Sequence, residues 1–414
     1  MKNKTLILLC DNYPLSAREF FIDDEMRVIA TRFEKVVIYT ASTDTGERLN
    51  RFVPDNAVVV PFSAQKLEAG KLKSFFRIFK PMFLRELAFA FRKLPVRYWV
   101  SAFKIMYVDI HRATNLKRDL LRLCADSHIN LNDSVFYSYW HDYKALALAM
   151  LRCEHGCVCV ARAHRWDVFA DKNQIPYLPF KHFILNNLSK IISISKAGKE
   201  YFESYVGCCG DKVEVSFLGK INNRPPLLAK SSDETLICSC SNLIPVKQVD
   251  RIIEVLSMLE ISNLHWVHFG DGPLRTELEA MAKKLLSNVK YEFRGIVPNN
   301  EILDFYASRH VDLFINLSSS EGIPVSIMEA LSAGIPVVAT NVGGTAEAVN
   351  DQNGFLISAD FNSADVAQII TNYLNLNPAQ QQQYRKNACD FWKDNFEAEK
   401  NYTEFFNLIE SLFP

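Results

Sequence analysis

Residues 318–344 read S-S-S-E-G-I-P-V-S-I-M-E-A-L-S-A-G-I-P-V-V-A-T-N-V-G-G. This stretch is the most informative part of the sequence for predicting the fold. An apolar segment of strand length, residues 311–317, precedes them, and the serine-rich run with its glycine is typical of a turn. Pro324 suits the first turn of a helix, Gly334 ends that helix, and residues 337–339 predict the next buried strand. The stretch therefore predicts a strand, a polar loop, a helix and a second strand.

This loop and helix combine an anion site with two carboxylates. A helix N-terminus has free N–H groups and a positive dipole end, so it attracts anions. Glu321 lies in the loop and Glu329 follows eight residues later, and carboxylates accept hydrogen bonds from vicinal hydroxyls. A site for phosphate plus sugar hydroxyls would contain both features, which indicates a nucleotide-sugar site. The alternative is that Glu321 caps the helix and Glu329 is solvated.

The same residues carry a family resemblance. The segment from Glu321 to Ala330, followed by Gly334-Ile-Pro-Val and by Val342-Gly-Gly-Thr-Ala-Glu347, resembles the Glu-x7-Glu signature of retaining glycosyltransferases of family four. The resemblance covers the whole chain and is strongest in its second half. It implies an α/β protein of the GT-B fold, in which two Rossmann-like, doubly wound parallel-sheet domains face a cleft.

The resemblance also implies a set of donor-binding residues. It assigns Glu329 to ribose hydroxyls, Glu321 to hydroxyls of the donor sugar, and the backbone around Val297 to the base. Lys247 matches a lysine that holds the diphosphate, whereas Asn242 stands where the family has an arginine. Further stabilisation of the leaving diphosphate is expected from the helix start, at Gly322, Ile323, Pro324 and Val325. Because the chain contains no Asp-x-Asp pair, we expect no metal ion and no cofactor.

Two strands predicted in the first half end in loops that contain histidine. Residues 135–140 and 157–161 predict these strands, and parallel strands place their carboxyl ends on one edge, where open α/β sheets bind ligands. The segment R-A-H-R-W-D, residues 162–167, resembles the family's acceptor-domain loop, in which a histidine approaches the transferred sugar. The predicted catalytic residues are therefore Glu321, His164 and Lys247. The predicted acceptor-side residues are Tyr13, His141 and Asp167.

Length and charge predict two domains with different partners. A chain of 414 residues, 49% hydrophobic and 23% charged, is globular in composition and too long for one ordinary core. Residues 1–220 carry 33 Lys and Arg against 23 Asp and Glu, whereas residues 221–414 carry 14 against 24. We predict an acceptor-binding domain over residues 1–220 and a nucleotide-sugar domain over residues 221–395. The helix over residues 396–414 is expected to cross back to the first domain.

The ten cysteines form no recognisable disulfide framework. Cys153, His155 and Cys157 are residue types that bind zinc, but no second ligand pair follows, and the alternation with valine predicts a buried strand. Residues 5–10 predict a strand rather than a signal peptide, and the sequence has no uncharged, apolar segment of 18 residues. These features predict a reduced, cytoplasmic protein.

Residues 71–104, within a predicted helical insertion at about 66–106, combine nine Lys or Arg with one acid and nine aromatic residues. Basic residues interleaved with aromatic ones are typical of an interfacial helix on an anionic membrane, which would place the protein at the inner face of the plasma membrane. One alternative is a helical hairpin with its phenylalanines inward and its lysines solvated. The other is a nucleic-acid patch, but no nucleic-acid-binding motif supports it, so we expect no nucleic acid.

Together these features predict a retaining, metal-independent hexosyltransferase that uses a UDP- or GDP-linked sugar. Its acceptor would be a glycan, by analogy a lipid-linked one, in bacterial surface polysaccharide biosynthesis such as lipopolysaccharide or capsule. One alternative is a nucleotide-sugar epimerase of the GT-B fold, which would use titratable acid and base residues. The other is an inactive nucleotide-sugar-binding scaffold, which Asn242 and the missing glycines of the Tyr13 loop support.

Overall fold

The computed structural model describes residues 4–16, 19–42, 51–62, 78, 80–207, 210–230 and 233–413. The chain divides into two compact units. Unit 1 comprises Met1–Phe217 and Tyr402–Pro414, and unit 2 comprises Leu218–Asn401. The sequence placed these boundaries at residues 220 and 396, so the first division comes slightly earlier than predicted and the second slightly later.

A seven-stranded parallel sheet forms the centre of unit 1, in the order β3-β2-β1-β4-β5-β6-β7. Its strands are nearly continuous apolar runs, because a parallel sheet is covered on both faces. The strand order reverses beside β1, which is where an open α/β sheet binds ligands. The strands are β1 (Thr5–Cys10), β2 (Lys35–Thr40), β3 (Ala57–Pro61), β4 (Ser134–Ser138), β5 (Val158–Ala163), β6 (Lys190–Ser193) and β7 (Val213–Val215).

The helices of unit 1 cover this sheet. They are α1 (Ile22–Arg32), α2 (Pro81–Lys93), α3 (Trp99–Asp126), α4 (Tyr143–His155), α5 (Lys181–Asn187) and α6 (Lys196–Val206). The sequence predicted the first helix from about Ala17, but α1 begins at Ile22, because Glu19 has a left-handed φ of 58° that no helix continues through. Helix α2 and the start of α3 lie in the predicted insertion, whose residues 66–77 and 79 fall outside the described residues.

Unit 2 contains a six-stranded parallel sheet in the order β10-β9-β8-β11-β12-β13. The strands are β8 (Thr235–Cys240), β9 (Leu264–Phe269), β10 (Lys290–Phe293), β11 (Leu313–Asn316), β12 (Val337–Thr340) and β13 (Gly354–Ile357). The sequence did not predict β13, which is short and begins at a glycine in a turn. A Cβ at Gly354 would lie 2.1 Å from the carbonyl oxygen of Val337, so this edge strand approaches β12 too closely for any side chain there.

The opening stretch folds as predicted, with the loop between β11 and α10 (Val325–Ser332) followed by β12. The other helices of unit 2 are α7 (Val249–Ser257), α8 (Arg275–Leu285), α9 (Asn299–Ser308), α11 (Ser363–Leu374) and α12 (Pro378–Asn395). Helix α13 (Ala398–Glu410) starts in unit 2 and ends among the residues of unit 1. The prediction of an α/β fold with two doubly wound parallel sheets is confirmed.

Candidate functional site

Glu321, in the loop between β11 and α10, is a buried carboxylate that pairs with a lysine. It is 6% exposed, and its Oε1 accepts a hydrogen bond from Lys247 Nζ at 2.6 Å. Lys247 ends a short 3-10 turn after β8, and the backbone N–H of Ser319 donates to the carbonyl of Val246 at 2.9 Å. The two loops are therefore tied together, and they hold opposite charges side by side.

Glu329, in α10, is more deeply buried and has a second lysine. Its Oε1 accepts a hydrogen bond from Asn299 Nδ2 at 2.6 Å and lies 3.3 Å from Lys220 Nζ. Lys220 is itself 4% exposed and also donates to Asn299 Oδ1. Lys220 and Asn299 were missed by the sequence analysis because they belong to no motif. The signal that could have found them is general, since a buried carboxylate needs a partner that compensates its lost hydration.

Groups from both carboxylate–lysine pairs influence the pKa of a residue at the carboxyl end of β8. The thiol of Cys240, the last residue of that strand, has a pKa well above its ordinary value because it is buried and because Glu329 is near. Lys247 and Lys220 oppose this increase in pKa. Glu329 and the two lysines are therefore near enough to this strand end to influence its thiol, and Glu321 is paired with one of these lysines, Lys247.

The start of α10 adds backbone donors to this cluster. The helix begins at Val325, after Pro324 in an extended conformation, so the N–H groups of Val325 and Ser326 have no intrahelical acceptor. Gly322, Ile323 and Pro324 are buried and Val325 is half-buried. A positive helix end thus begins four residues after Glu321, at Val325, which is the combination that the sequence predicted.

A buried polar chain holds the neighbouring loop after β8. His268 Nε2 donates to the carbonyl of Ser241 at 3.1 Å, so its Nδ1 accepts from the hydroxyl of Ser239 at 2.8 Å. That hydroxyl in turn accepts from Trp266 Nε1 at 2.9 Å. A Cβ at Gly270 would lie 1.9 Å from the same Ser241 carbonyl oxygen, which explains the glycine at this position.

The remaining predicted donor residues are more exposed. Asn242 lies at the surface, and its carbonyl accepts a hydrogen bond from the N–H of Ile244 at 3.0 Å. Val297 is half-buried, in the loop between β10 and α9, and Ile296 beside it is 76% exposed. The Ile296 side chain is the most exposed large apolar one among the described residues, and the sequence analysis did not single it out.

In unit 1, Asp167 joins the two predicted histidine loops. One carboxylate oxygen accepts the backbone N–H of His141 at 2.7 Å, and the other accepts that of His164 at 2.6 Å. Burial raises the pKa of Asp167 to about 6, although Lys181 and the two N–H groups oppose the increase. The structure therefore brings together three of the residues predicted for this unit.

The imidazole of His164 lies among aromatic rings, with ring centroids 4.5 Å from Trp140, 5.1 Å from Tyr139 and 6.0 Å from Phe21. Burial and the nearby Arg162 lower the pKa of His164 to about 3, so the ring is neutral. Its Nε2 has no hydrogen-bond partner within the described residues. One ring nitrogen is thus left to interact with a ligand.

His141 and Tyr13 are fully buried. His141 Nδ1 lies 3.0 Å from Lys181 Nζ, and burial with this neighbouring cation lowers the pKa of His141 well below its ordinary value. The Tyr13 hydroxyl donates to the carbonyl of Phe52, and the Arg51 guanidinium lies 5.0 Å from the ring centroid. Tyr13 is therefore placed in the interior, and its assignment to the acceptor side stays a prediction.

Glu19 fills the loop that lacks the expected glycines. Its carboxylate accepts the backbone N–H groups of Asp11 at 3.1 Å, Asn12 at 2.6 Å and Tyr13 at 2.8 Å. Trp140 Nε1 donates to it as well, at 2.5 Å. Successive N–H groups that converge in this way form an anion-binding concavity. In this chain the anion is an internal side chain, which no sequence pattern had indicated.

Residues 220–390 match the model of the family described as Glycosyl transferases group 1. The match covers nearly all of unit 2 and includes both buried carboxylates and both lysines. Unit 2 is a group 1 glycosyltransferase domain.

Curated relatives agree with this assignment. Over 214 residues, 51% of this chain, it is 27% identical to a phosphatidylinositol N-acetylglucosaminyltransferase subunit of Arabidopsis thaliana. Over 141 residues, 34% of this chain, it is 31% identical to the putative teichuronic acid biosynthesis glycosyltransferase TuaC of Bacillus subtilis. These matches cover 47% and 33% of the relatives' lengths, so the chain spans half or less of each.

A solved structure extends the comparison to both units. The structure of Anabaena Alr3699/HepE in complex with UDP covers 99% of this chain and 100% of its own, with a TM-score of 0.64 and 16% identity. At this low sequence identity, the structural similarity is evidence for the fold alone. The group 1 glycosyltransferase domain and unit 1 together have the GT-B fold.

The glycosyltransferase domain contains all of the predicted donor residues, and unit 1 contains all of the predicted acceptor-side residues.

Within the described residues, no group of three or more His, Cys, Asp or Glu side chains is arranged to hold a metal ion. Cys157 and Cys159, from the zinc alternative, are buried with their Sγ atoms 3.7 Å apart. Among the helices described, none is long and apolar enough to cross a membrane.

Proposed function

We propose that this protein is a retaining glycosyltransferase that moves a hexosyl unit from a UDP- or GDP-linked sugar to a glycan acceptor, without a metal ion. The observation that carries the proposal is the pair of buried carboxylates at the carboxyl edge of the unit 2 sheet. Glu321 is held by Lys247 and Glu329 by Lys220 and Asn299. Two buried acids in a loop and helix that also offer backbone N–H groups without an intrahelical acceptor fit a ligand that has both hydroxyls and phosphates.

The chemistry requires stabilisation of a diphosphate leaving group. Lys247 Nζ and the unpaired N–H groups at the start of α10 are the donors available for that charge, and fixed donors at a developing charge are a large contribution to catalysis. Glu329 would bind the ribose and Glu321 the donor sugar, as the family resemblance implies. Lys247 is paired with Glu321, and a bound diphosphate would give it a second partner.

Retention of the anomeric configuration and the role of His164 rest on the family resemblance. That resemblance assigns His164 to the transferred sugar, and a neutral imidazole can exchange one hydrogen bond with a sugar hydroxyl at Nε2. None of the donor-side residues is a clear nucleophile, which suits a mechanism in which the leaving phosphate helps to deprotonate the acceptor on the same face. His164 therefore acts in sugar binding rather than as a general base.

The acceptor is proposed to be a surface glycan or its lipid-linked precursor. One relative is described as acting in teichuronic acid biosynthesis, and another belongs to a phosphatidylinositol N-acetylglucosaminyltransferase. A lipid-linked acceptor would bring the protein to the inner face of the plasma membrane. Helix α2 suits this because it buries Phe83 and Ala90 on one side, while Leu84 and Phe91 point outward and are 50% and 41% exposed.

The donor site is tested by thermal denaturation with UDP, GDP, ADP and CMP and their sugar conjugates, in the absence of metal. A ligand at 100 times its dissociation constant should add about 2.7 kcal/mol to the free energy of unfolding. We expect a shift with one nucleotide series. Lys247→Met should then lower turnover on the order of 100-fold, the size for removal of one donor to the leaving group.

Glu321→Gln should abolish transfer while the fold is retained. The matched control is Lys386→Met, which removes an exposed lysine paired with Asp390 on α12 and should leave turnover unchanged. Undiminished turnover in Glu321→Gln would contradict the assignment of the site. Products that form from the nucleotide sugar without an acceptor, with inversion at a ring carbon, would indicate the epimerase instead.

Membrane association is tested by sedimentation with vesicles of phosphatidylglycerol and phosphatidylcholine at low salt. Arg85 and Arg92 are exposed on α2, beside its outward apolar residues. The double variant Arg85→Glu and Arg92→Glu should release the protein, because anionic head groups attract cations near the surface. The charge-matched control, Lys283→Glu and Lys284→Glu on α8, should remain bound. Equal partitioning of both variants would exclude this surface.

A further inference from the structure

Unit 1 contains a pocket of about 670 Å³ at the carboxyl edge of its sheet. Its walls come from α3, from the loops after β1, β4 and β5, and from the start of α5. The volume is within the ordinary range for a small-molecule site. All of the described residues that line it belong to unit 1.

Asp109 of α3 supplies an uncompensated acid to this pocket. Within the part of the chain that the structure describes, its carboxylate has no hydrogen bond and no ion pair. Burial, with Asp142 nearby, raises the pKa of Asp109 to about 7, although Arg112, Lys181 and Lys144 oppose the increase. An acid that faces a cavity without a partner is costly for the fold, and this cost is typical of a binding site.

Lys181 supplies a buried cation to the same pocket. It is 2% exposed, and its ammonium donates to the carbonyl of His141 and lies 3.0 Å from Nδ1 of the same residue. In the described residues no carboxylate lies within ion-pair distance of it. Burial lowers the pKa of Lys181 to about 8, although Asp167, Asp142 and other acids oppose the decrease.

The other acids around the pocket are already compensated. Lys144 Nζ lies 2.7 Å from Asp11 and 2.6 Å from Asp142, and Asp167 accepts two backbone N–H groups. The pocket therefore has four acids, Asp11, Asp109, Asp142 and Asp167, close to three cations, Arg112, Lys144 and Lys181. Because the cations are already matched by acids, the negative charge of a polyphosphate would be unfavourable here. Trp166 also lines the pocket and is 41% exposed, which offers an aromatic face to an apolar ring face.

We propose that this pocket binds the terminal sugar of the glycan acceptor, with Asp109 accepting from its hydroxyls, Lys181 donating to them, and Trp166 packing against its ring. The inference rests on the proposed glycosyltransferase function, because it supplies that function's acceptor site. It assigns specificity to Asp109, Lys181 and Trp166, none of which belongs to the sequence signature. An uncharged, hydroxyl-rich ligand can donate to Asp109 and accept from Lys181 without adding a charge to the pocket.

The test measures sugar binding without any nucleotide. Saturation-transfer NMR is carried out with the methyl glycosides of glucose, galactose, mannose and N-acetylglucosamine at millimolar concentration. We expect transfer to at least one of them from the wild-type protein. Asp109→Leu and Trp166→Ala should each weaken that binding by about tenfold, the size for loss of a hydrogen bond or of a packed aromatic ring.

The matched control is Asp126→Leu, which removes an exposed acid from the end of the same helix α3 and should bind as the wild type does. The thermal shift with the nucleotide that the wild type binds, UDP or GDP, is measured on every variant, since it reports on unit 2 and on folding. Absence of glycoside binding in a protein that binds UDP would overturn the pocket and leave the donor site intact. Unchanged binding in both Asp109→Leu and Trp166→Ala would overturn it as well. Glycoside binding without a thermal shift from any of UDP, GDP, ADP and CMP would instead contradict the proposed donor site.

Discussion

Single residues at the two sheet edges differ in how their buried charge is compensated. Glu329 and Glu321 have lysine partners, Asp167 and Glu19 have backbone N–H groups, and Asp109 has neither. The first two arrangements compensate the buried acid within the fold, whereas the last leaves it open to a ligand. The sequence identified Glu321, Glu329 and Asp167 from their motifs. It could not identify Lys220 or Asp109, because their partners and surroundings come from distant parts of the chain.

The buried imidazole of His268 leads to a prediction of how the stability of the fold depends on pH. Burial lowers its pKa to about 4, whereas the unfolded chain protonates histidine near pH 6.5. The folded form therefore has full stability above pH 6.5 and loses it as the pH falls toward 4. Between pH 7 and pH 5 the loss from this residue should be about 2 kcal/mol.

Urea denaturation at both pH values measures this effect. His268→Gln, which retains polar atoms on the side chain but does not titrate, should lose less stability than the wild type by that amount. Other buried histidines contribute equally to both proteins, so the difference isolates His268. An identical loss in the two proteins would show that His268 is protonated in the folded state.

At the scale of elements, close backbone contacts between loops fix the donor site. Gly343, after β12, has a φ of +56°, and a Cβ there would lie 1.9 Å from the carbonyl oxygen of Glu321. Gly344 N–H donates to the carbonyl of Gly322 at 2.7 Å. The loop after β12 therefore contacts the backbone of the Glu321 loop and restrains its position. The sequence showed the two glycines but not what they contact, because that contact joins segments about twenty residues apart.

Gly343→Ala should thus displace the Glu321 loop as well as strain its own backbone. Gly156→Ala is the matched control, because Gly156 also has a positive φ, of 72°, but no atom within 4 Å of the added Cβ. The control should lose about 1–2 kcal/mol of stability and keep its UDP shift. Gly343→Ala should lose more stability and also the UDP shift. Equal behaviour of the two variants would mean that the contact does not hold the site.

At the scale of the whole molecule, the C-terminal segment is part of the core of unit 1. Tyr402, Phe405, Phe406 and Ile409 are at most 1% exposed. Phe406 packs edge-on against Phe33 with ring centroids 5.6 Å apart, and the Arg162 guanidinium lies 4.4 Å from the centroid of Phe405. Unit 1 is therefore built from both ends of the chain, and its stability depends on the last helix.

Phe406→Ala should destabilise unit 1 by about 3–5 kcal/mol, the cost of deleting a buried aromatic side chain. Hydrogen–deuterium exchange should show faster exchange in β1 and β5, with β9 of unit 2 unchanged. Glu404→Ala, at an exposed position on the same helix, is the control and should leave exchange as in the wild type. Exchange that accelerates in β9 as well would show that the two units unfold together.

The amino-acid sequence alone was sufficient to predict most of the elements and to locate the donor motif. Parallel strands are apolar runs, helices end at glycine and proline, and Glu321, Glu329 and Lys247 lie within short segments whose residue types carry the chemistry. The structure was needed for β13, for the burial of Tyr13 and for the partners Lys220, Asn299, Glu19 and Lys181. These depend on contacts between residues distant in sequence, where packing and the compensation of buried charge act, and local pattern contains no information about either.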